Sequence, residues 1–117
     1  KIMQIEYREE NNITIISIKG QLVASSAYLL KHQFNDLILQ HRNFIFNLSE
    51  MDYIDSTGLG SLVSCLRTAM ENDGSVKLYG LQAKPKMLFD ITKAYKIFSI
   101  FDSQEKAIDS FQSNKPA

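Results

Sequence analysis

The strongest constraint on how this 117-residue chain folds is a helical stripe set between two strand-like runs. Leu59, Leu62, Val63, Leu66 and Met70 recur at i, i+3, i+4, i+7 and i+11, the spacing of one helix face. Phe44, Ile45, Phe46 and Leu48 precede them as a short apolar strand, followed by the polar link Ser49, Glu50 and a second extended piece at residues 51–54. Asn72, Asp73 and Gly74 stop the helix, and Val76, Leu78 and Tyr79 form a further strand ending at Gly80. A strand–helix–strand unit of this kind makes its two strands parallel neighbours and lays the helix over the sheet.

The remaining segments extend the same pattern. Residues 2–7 and 13–18 are rich in β-branched side chains and are separated by Glu9, Glu10, Asn11 and Asn12, which predicts a hairpin. Ile13, Ile15, Ile16 and Ile18 nearly fill both faces of the second run, so that strand belongs inside the sheet, and Gly20 is expected to break it. From Ser26 the period becomes helical through Leu30, Phe34, Leu37, Ile38 and His41, with Ser25 or Ser26 as the cap. Pro85 suits the first turn of a third helix running through Leu88, Phe89 and Ile91. Residues 97–101 form a short strand or extended segment, and Tyr95, Ile97 and Phe98 are expected in the core rather than on an exposed dimer patch. Asp102 or Ser103 caps a last helix, Asp102 with Glu105 resembling a capping box, and Ala107, Ile108 and Phe111 face inward. The predicted order is β-β-α-β-α-β-α-β-α. It implies an α/β fold with a mixed sheet of four to five strands under about four helices, one domain over residues 1–117, with a loose tail from about 112 to 117.

Charge narrows the function. Thirteen basic and 13 acidic residues cancel, which removes the electrostatic footprint of a nucleic-acid or membrane-surface binder. Cys65 is the only cysteine, so no intrachain disulfide forms, and its apolar neighbours suit a reducing, cytoplasmic setting. No apolar run approaches the roughly 20 residues needed to span a bilayer. The first residue is Lys1 rather than methionine, so a trimmed or engineered start is expected, with Met3 as a candidate native start.

The chemistry concentrates at Met51-Asp52-Tyr53-Ile54-Asp55-Ser56-Thr57-Gly58-Leu59-Gly60. Two glycines in the first turn of a strong helix cost roughly 1 kcal/mol each relative to alanine, so something needs close backbone approach there, a partner surface being one such thing. Asp55 or Ser56 serves as N-cap. The unpaired N–H groups and positive dipole end of the helix favour an anion on Ser56. On spacing alone the cluster is also explained as simple capping.

This segment resembles the phosphorylation-site signature of the anti-sigma factor antagonists of the STAS family. There an apolar strand leads into Asp-Ser-(Ser or Thr)-Gly-(Leu or Ile)-Gly at a helix start. The match runs from Phe44 to Val63 and extends to element order over nearly the whole chain, including Gly20, the strand ending at Gly80 and the Leu88-Phe89 pair. The resemblance implies that Ser56 is phosphorylated, with Thr57 as its neighbour, by a partner anti-sigma factor that is itself a serine kinase. Unphosphorylated protein would bind that kinase through Asp55, Thr57, Gly58, Leu59 and Gly60 and release a sigma factor. Phosphorylation would end the binding, and a metal-dependent phosphatase of the PP2C type would restore it. ATP and metal belong to the partners, so no cofactor is expected here. The family usually shows Gly-Glu-Leu/Ile-Asp after the second strand, whereas this chain has Gly20-Gln21-Leu22-Val23. The resemblance puts this loop beside the phosphorylation site, so Gln21 and Val23 join the candidate partner-binding residues with neither acid present.

An enzyme finds little support. Gly58-Leu59-Gly60 lacks the third glycine of a dinucleotide fingerprint, and no Walker-type motif occurs. His32 and His41 have no metal-ligand spacing with Cys65. Ser103-Gln104-Glu105-Lys106 reads as a capped helix start, and Asp52 with Asp55 implies no catalytic pocket. The more serious rival is a STAS-type scaffold or accessory module, in stress signalling or lipid transport, that uses the same surface without a sigma factor.

Overall fold

The computed structural model describes residues 3–112. Its elements are β1 (Gln4–Glu10), β2 (Ile13–Leu22), α1 (Ala27–Leu37), β3 (Asn43–Ile54), α2 (Ser56–Glu71), β4 (Ser75–Tyr79), α3 (Ala83–Thr92), a 3-10 turn (Ala94–Lys96), β5 (Ser99–Phe101) and α4 (Gln104–Gln112). Of the loose tail expected from about 112 to 117, Gln112 instead closes α4 and residues 113–117 lie outside the described residues. Among the described residues five strands form one sheet in the order β1-β2-β3-β4-β5. The first pair is antiparallel and the others are parallel, which is the mixed α/β sheet expected.

The hairpin is tighter than its polar residues implied. β1 and β2 pair from Gln4↔Lys19 to Glu10↔Ile13, leaving only Asn11 (φ 56) and Asn12 (φ 65) as the turn. Both lie in the left-handed region, which matches a type I′ connection and explains why asparagine stands at each position.

Gly20 does not break β2. The strand continues to Leu22 through register shifts between Ser17 and Lys19 and between Gly20 and Gln21, with Gly20 at φ 89. This kink is a bulge that glycine alone adopts without strain. The extension gives the far half of β3 a partner, so the Ser49–Glu50 link stays in a continuous strand whose residues Glu50 to Ile54 pair with Lys19 to Leu22.

The side chains of β2 and β3 divide between two cores. Ile16, Ile18, Phe44 and Phe46 face the larger one with Leu30 and Phe34 of α1, Leu62 of α2 and Phe89 of α3. Ile13, Ile15 and Ile45 point the other way, to Ala107 and Ile108 of α4. Both faces of the central strands are therefore covered, as their near-continuous apolar character required.

The buried stripe of α2 keeps Leu59 and Leu62 of the large residues expected there and adds small ones beside them. Gly58, Leu59, Ser61, Leu62, Cys65 and Ala69 are buried, Val63 and Leu66 are only partly covered, and Met70 is 63% exposed. Small residues fill the rest of the buried face because α2 packs closely against both the sheet and α1. Of the cluster expected in the core, only Phe98 is buried (5% exposed). Tyr95 and Ile97 are 47% and 52% exposed, because Lys93 at φ 61 ends α3 and the short turn that follows points them outward.

Burial pushes the Cys65 thiol from 9.0 up to about 12, against a smaller lowering pull from Lys31. The folded protein keeps a proton that the unfolded chain releases above pH 9.0, so this contribution to stability is present below pH 9.0 and is lost as pH rises toward about 12. Iodoacetamide at mildly alkaline pH is expected to leave the native protein unlabelled and to label it fully in denaturant. Rapid labelling of the native protein would place the thiol at the surface.

Candidate functional site

The site forms where β2 and β3 end on the same edge of the sheet and the chain turns into α1 and α2. Leu22 and Ile54 are paired neighbours, so the loop after β2 and the residue after β3 emerge side by side. This brings Gln21 and Val23, both half-buried, to the same end of the fold as the segment 55–60.

Asp55, not Ser56, is the N-cap of α2, with extended backbone at φ −110 and ψ −178. Its Oδ1 accepts from the Gly58 amide at 2.8 Å, and its Oδ2 accepts from the Ala24 amide in the β2–α1 loop at 3.0 Å. The Asp55 amide donates to the Leu22 carbonyl at 3.3 Å. Asp55 thus caps α2 with one bond and ties it to the end of β2 and the loop beyond with two.

Gly58 is buried against that strand end. A Cβ there would stand 2.0 Å from the Leu22 carbonyl oxygen and 3.1 Å from Ile54 Cγ1. The close approach inferred for a partner is, at this glycine, an approach within the fold. Gly60 differs, since a Cβ there would meet nothing within 4 Å and the residue is exposed. Leu59 is 7% exposed and belongs to the core cluster, so its side chain supports the site from below.

Ser56 and Thr57 occupy the first two positions of α2 and both are exposed. Helix geometry leaves their amides without an intrahelical acceptor and places the positive end of the dipole beside them. An anion on the Ser56 hydroxyl is thereby favoured by the helix and opposed by the neighbouring Asp55 carboxylate. Ser26 stands at the N-cap position of α1 but makes no capping bond. Its hydroxyl accepts from the Val23 amide at 3.0 Å and donates to the Gln21 carbonyl at 2.9 Å, stapling the loop to itself. The part played by Ala24 escapes any reading of side chains because it acts through its backbone amide.

Other features lie outside this cluster. Lys84 of α3 sits 5.3 Å above the ring of Tyr53, which is half-exposed on β3. A groove of about 820 Å³ lies beyond the ends of β4 and β5 over Leu81, Phe89, Ile100 and Phe101, and its Asp90 is held by Lys86 at 3.0 Å. The last helix is capped by Ser103, whose hydroxyl accepts from the Lys106 amide at 3.2 Å, while Asp102 pairs with the Lys106 ammonium instead of forming a capping box. Among the described residues no group of His, Cys, Asp or Glu is placed to hold a metal, and no helix is long and apolar enough to cross a membrane.

Comparison with known proteins adds to this geometry. The STAS domain family model matches residues 4–107. An anti-sigma-B factor antagonist of Bacillus subtilis is 28% identical, with 91% of this chain and 97% of that protein aligned. The crystal structure of an anti-sigma factor antagonist from Mycobacterium paratuberculosis superposes with a TM-score of 0.84 at 14% identity, over 93% of each chain. The anti-sigma factor antagonist SpoIIAA in its unphosphorylated form superposes at 0.79 with 18% identity, over 98% of this chain and 100% of that one. The phosphorylated form of SpoIIAA, described as a Bacillus cell fate determinant, gives 0.71 with 19% identity over 94% and 99%.

Proposed function

This chain belongs to the STAS domain family, and we propose that it acts in the cytoplasm as an anti-sigma factor antagonist controlled by phosphorylation of Ser56. The unphosphorylated form binds an anti-sigma factor that is a serine kinase and so frees a sigma factor. Phosphate on Ser56 ends the binding, and a PP2C-type phosphatase resets the cycle. The protein itself works by association, not catalysis.

The observation that carries this reading is the position of Ser56: an exposed hydroxyl at the first residue of α2, beside a capping carboxylate whose two oxygens are already engaged. Such a hydroxyl is accessible to a kinase active site, and the helix end tolerates the product. A phosphate adds about 1.5 to 2 negative charges without displacing any core side chain, so it alters the docking surface and leaves the fold intact. Exposed Thr57 and Gly60 flank it, and the open space over Gly60 leaves the helix backbone accessible to a partner. The curated relative is named for the same role and aligns over nearly its full length, which supports the assignment.

Incubation with ATP and the cognate anti-sigma kinase, followed by intact-mass analysis, tests it. Wild-type protein is expected to gain one phosphate and Ser56→Ala none, with unchanged circular dichroism. An Ala variant phosphorylated at the wild-type rate would remove Ser56 from the cycle and make Thr57 the residue to test.

A further inference from the structure

We propose that Asp55 is the positioning residue of this surface: its carboxylate clamps the loop at residues 21–26 to the first turn of α2, so that the partner meets the two segments as one rigid epitope around Ser56. The inference rests on the partner-binding reading above and assigns Asp55 a role through geometry, not through contact with the partner.

A helix cap needs one oxygen, and Oδ1 supplies it to the Gly58 amide at 2.8 Å. Oδ2 is not required by the helix and instead takes the Ala24 amide at 3.0 Å, in a different element. The loop is closed from within by Ser26, through Val23 and Gln21, so it moves as a unit, and Asp55 fixes where that unit stands. Both bonds have an ionised acceptor and are of the stronger kind. None of them uses the Ser56 or Thr57 hydroxyl. With Gln21 and Val23 in place of acids, the loop carries no charge of its own at those positions, so its contribution to recognition is its shape, which the clamp holds.

Asp55→Asn separates the two duties. Asparagine caps helices as well as aspartate does, but its single acceptor oxygen cannot serve both amides. In the unphosphorylated full chain, hydrogen exchange at the Ala24 amide is expected to quicken about tenfold or more, with circular dichroism unchanged. Toward the cognate kinase, KM for the variant is expected to rise about tenfold while kcat stays within about twofold, the signature of lost positioning rather than lost chemistry. Asp55→Ser, whose hydroxyl caps but is too short to reach Ala24, is expected to show the same exchange. Wild-type protection of Ala24 in both variants would overturn the clamp. So would a freed loop with unchanged KM, or a fall in kcat alone. Failure of the wild-type chain to engage any kinase overturns the functional reading instead, and the exchange result separates that failure from this one.

Discussion

Gly58→Ala is expected to destabilise the protein by about 3 kcal/mol or more, an effect at the upper end of overpacking substitutions. The added Cβ would lie 2.0 Å from the Leu22 carbonyl oxygen and 2.8 Å from its carbon, both backbone atoms of a central strand. Neither moves as a side-chain tip would. Relief requires α2 to lift from the end of β2, which breaks the Asp55–Leu22 and Asp55–Ala24 bonds that fix the helix there. Alanine's intrinsic helix preference works the other way by only about 1 kcal/mol, so the clash dominates. Gly60→Ala is the matched control, with open space at its Cβ, and is expected to be neutral or stabilising by up to about 1 kcal/mol. Urea unfolding of the two variants measures the contrast. A Gly58→Ala variant as stable as wild type would mean that α2 is not seated this closely.

Ser56→Asp is expected to weaken binding of the anti-sigma kinase by about a hundredfold, since a misplaced like charge at an interface costs several kcal/mol. The same substitution is expected to leave the fold as stable as before or slightly more so, because an acid in the first turn of a helix gains about 0.3 to 1 kcal/mol from the dipole. Binding and stability therefore move in opposite directions. That separates a charge effect on docking from general damage to the domain. Calorimetric titration with the kinase reads the first and thermal unfolding the second. Equal affinity of Ser56→Asp and wild type would end the switch model. Loss of both together would show that Ser56 is a structural cap, a role that the geometry gives to Asp55.

Much of this was open to reading from pattern. The β-β-α-β-α-β-α-β-α order follows from changes of apolar period and from the residues that punctuate them, such as Asn72-Asp73-Gly74 before β4. Ile13 to Ile18 filling both faces correctly placed β2 inside the sheet. The Asp-Ser-Thr-Gly junction correctly marked where a strand hands over to a helix, because capping chemistry is local and a few adjacent side chains specify it.

Other points were misread for identifiable reasons. Large apolar residues marked the stripe of α2, and Leu59 and Leu62 are buried in it, but Met70 is exposed and the buried face is completed by Gly58, Ser61, Cys65 and Ala69, small side chains that a hydrophobicity pattern undervalues. Gly20 resembled a terminator and is a bulge, because only the presence of β3 alongside gives the residues after it something to pair with. Ser26 resembled a cap and is a loop staple, its hydroxyl finding Gln21 and Val23 nearer than the helix amides it was expected to serve.

The two glycines of the junction show the division between these levels most clearly. Their conformational cost is written in the chain, so that some close approach was needed could be argued from residue type alone. What approaches each one depends on contacts between segments distant in sequence. Leu22 meets Gly58 across a gap of more than thirty positions, while nothing within the fold meets Gly60. Element order and caps arise from neighbours along the chain and are legible there. The seating of α2 on β2, the second task of Asp55 and the exposure of Ser56 arise from neighbours in space, and packing alone sets them.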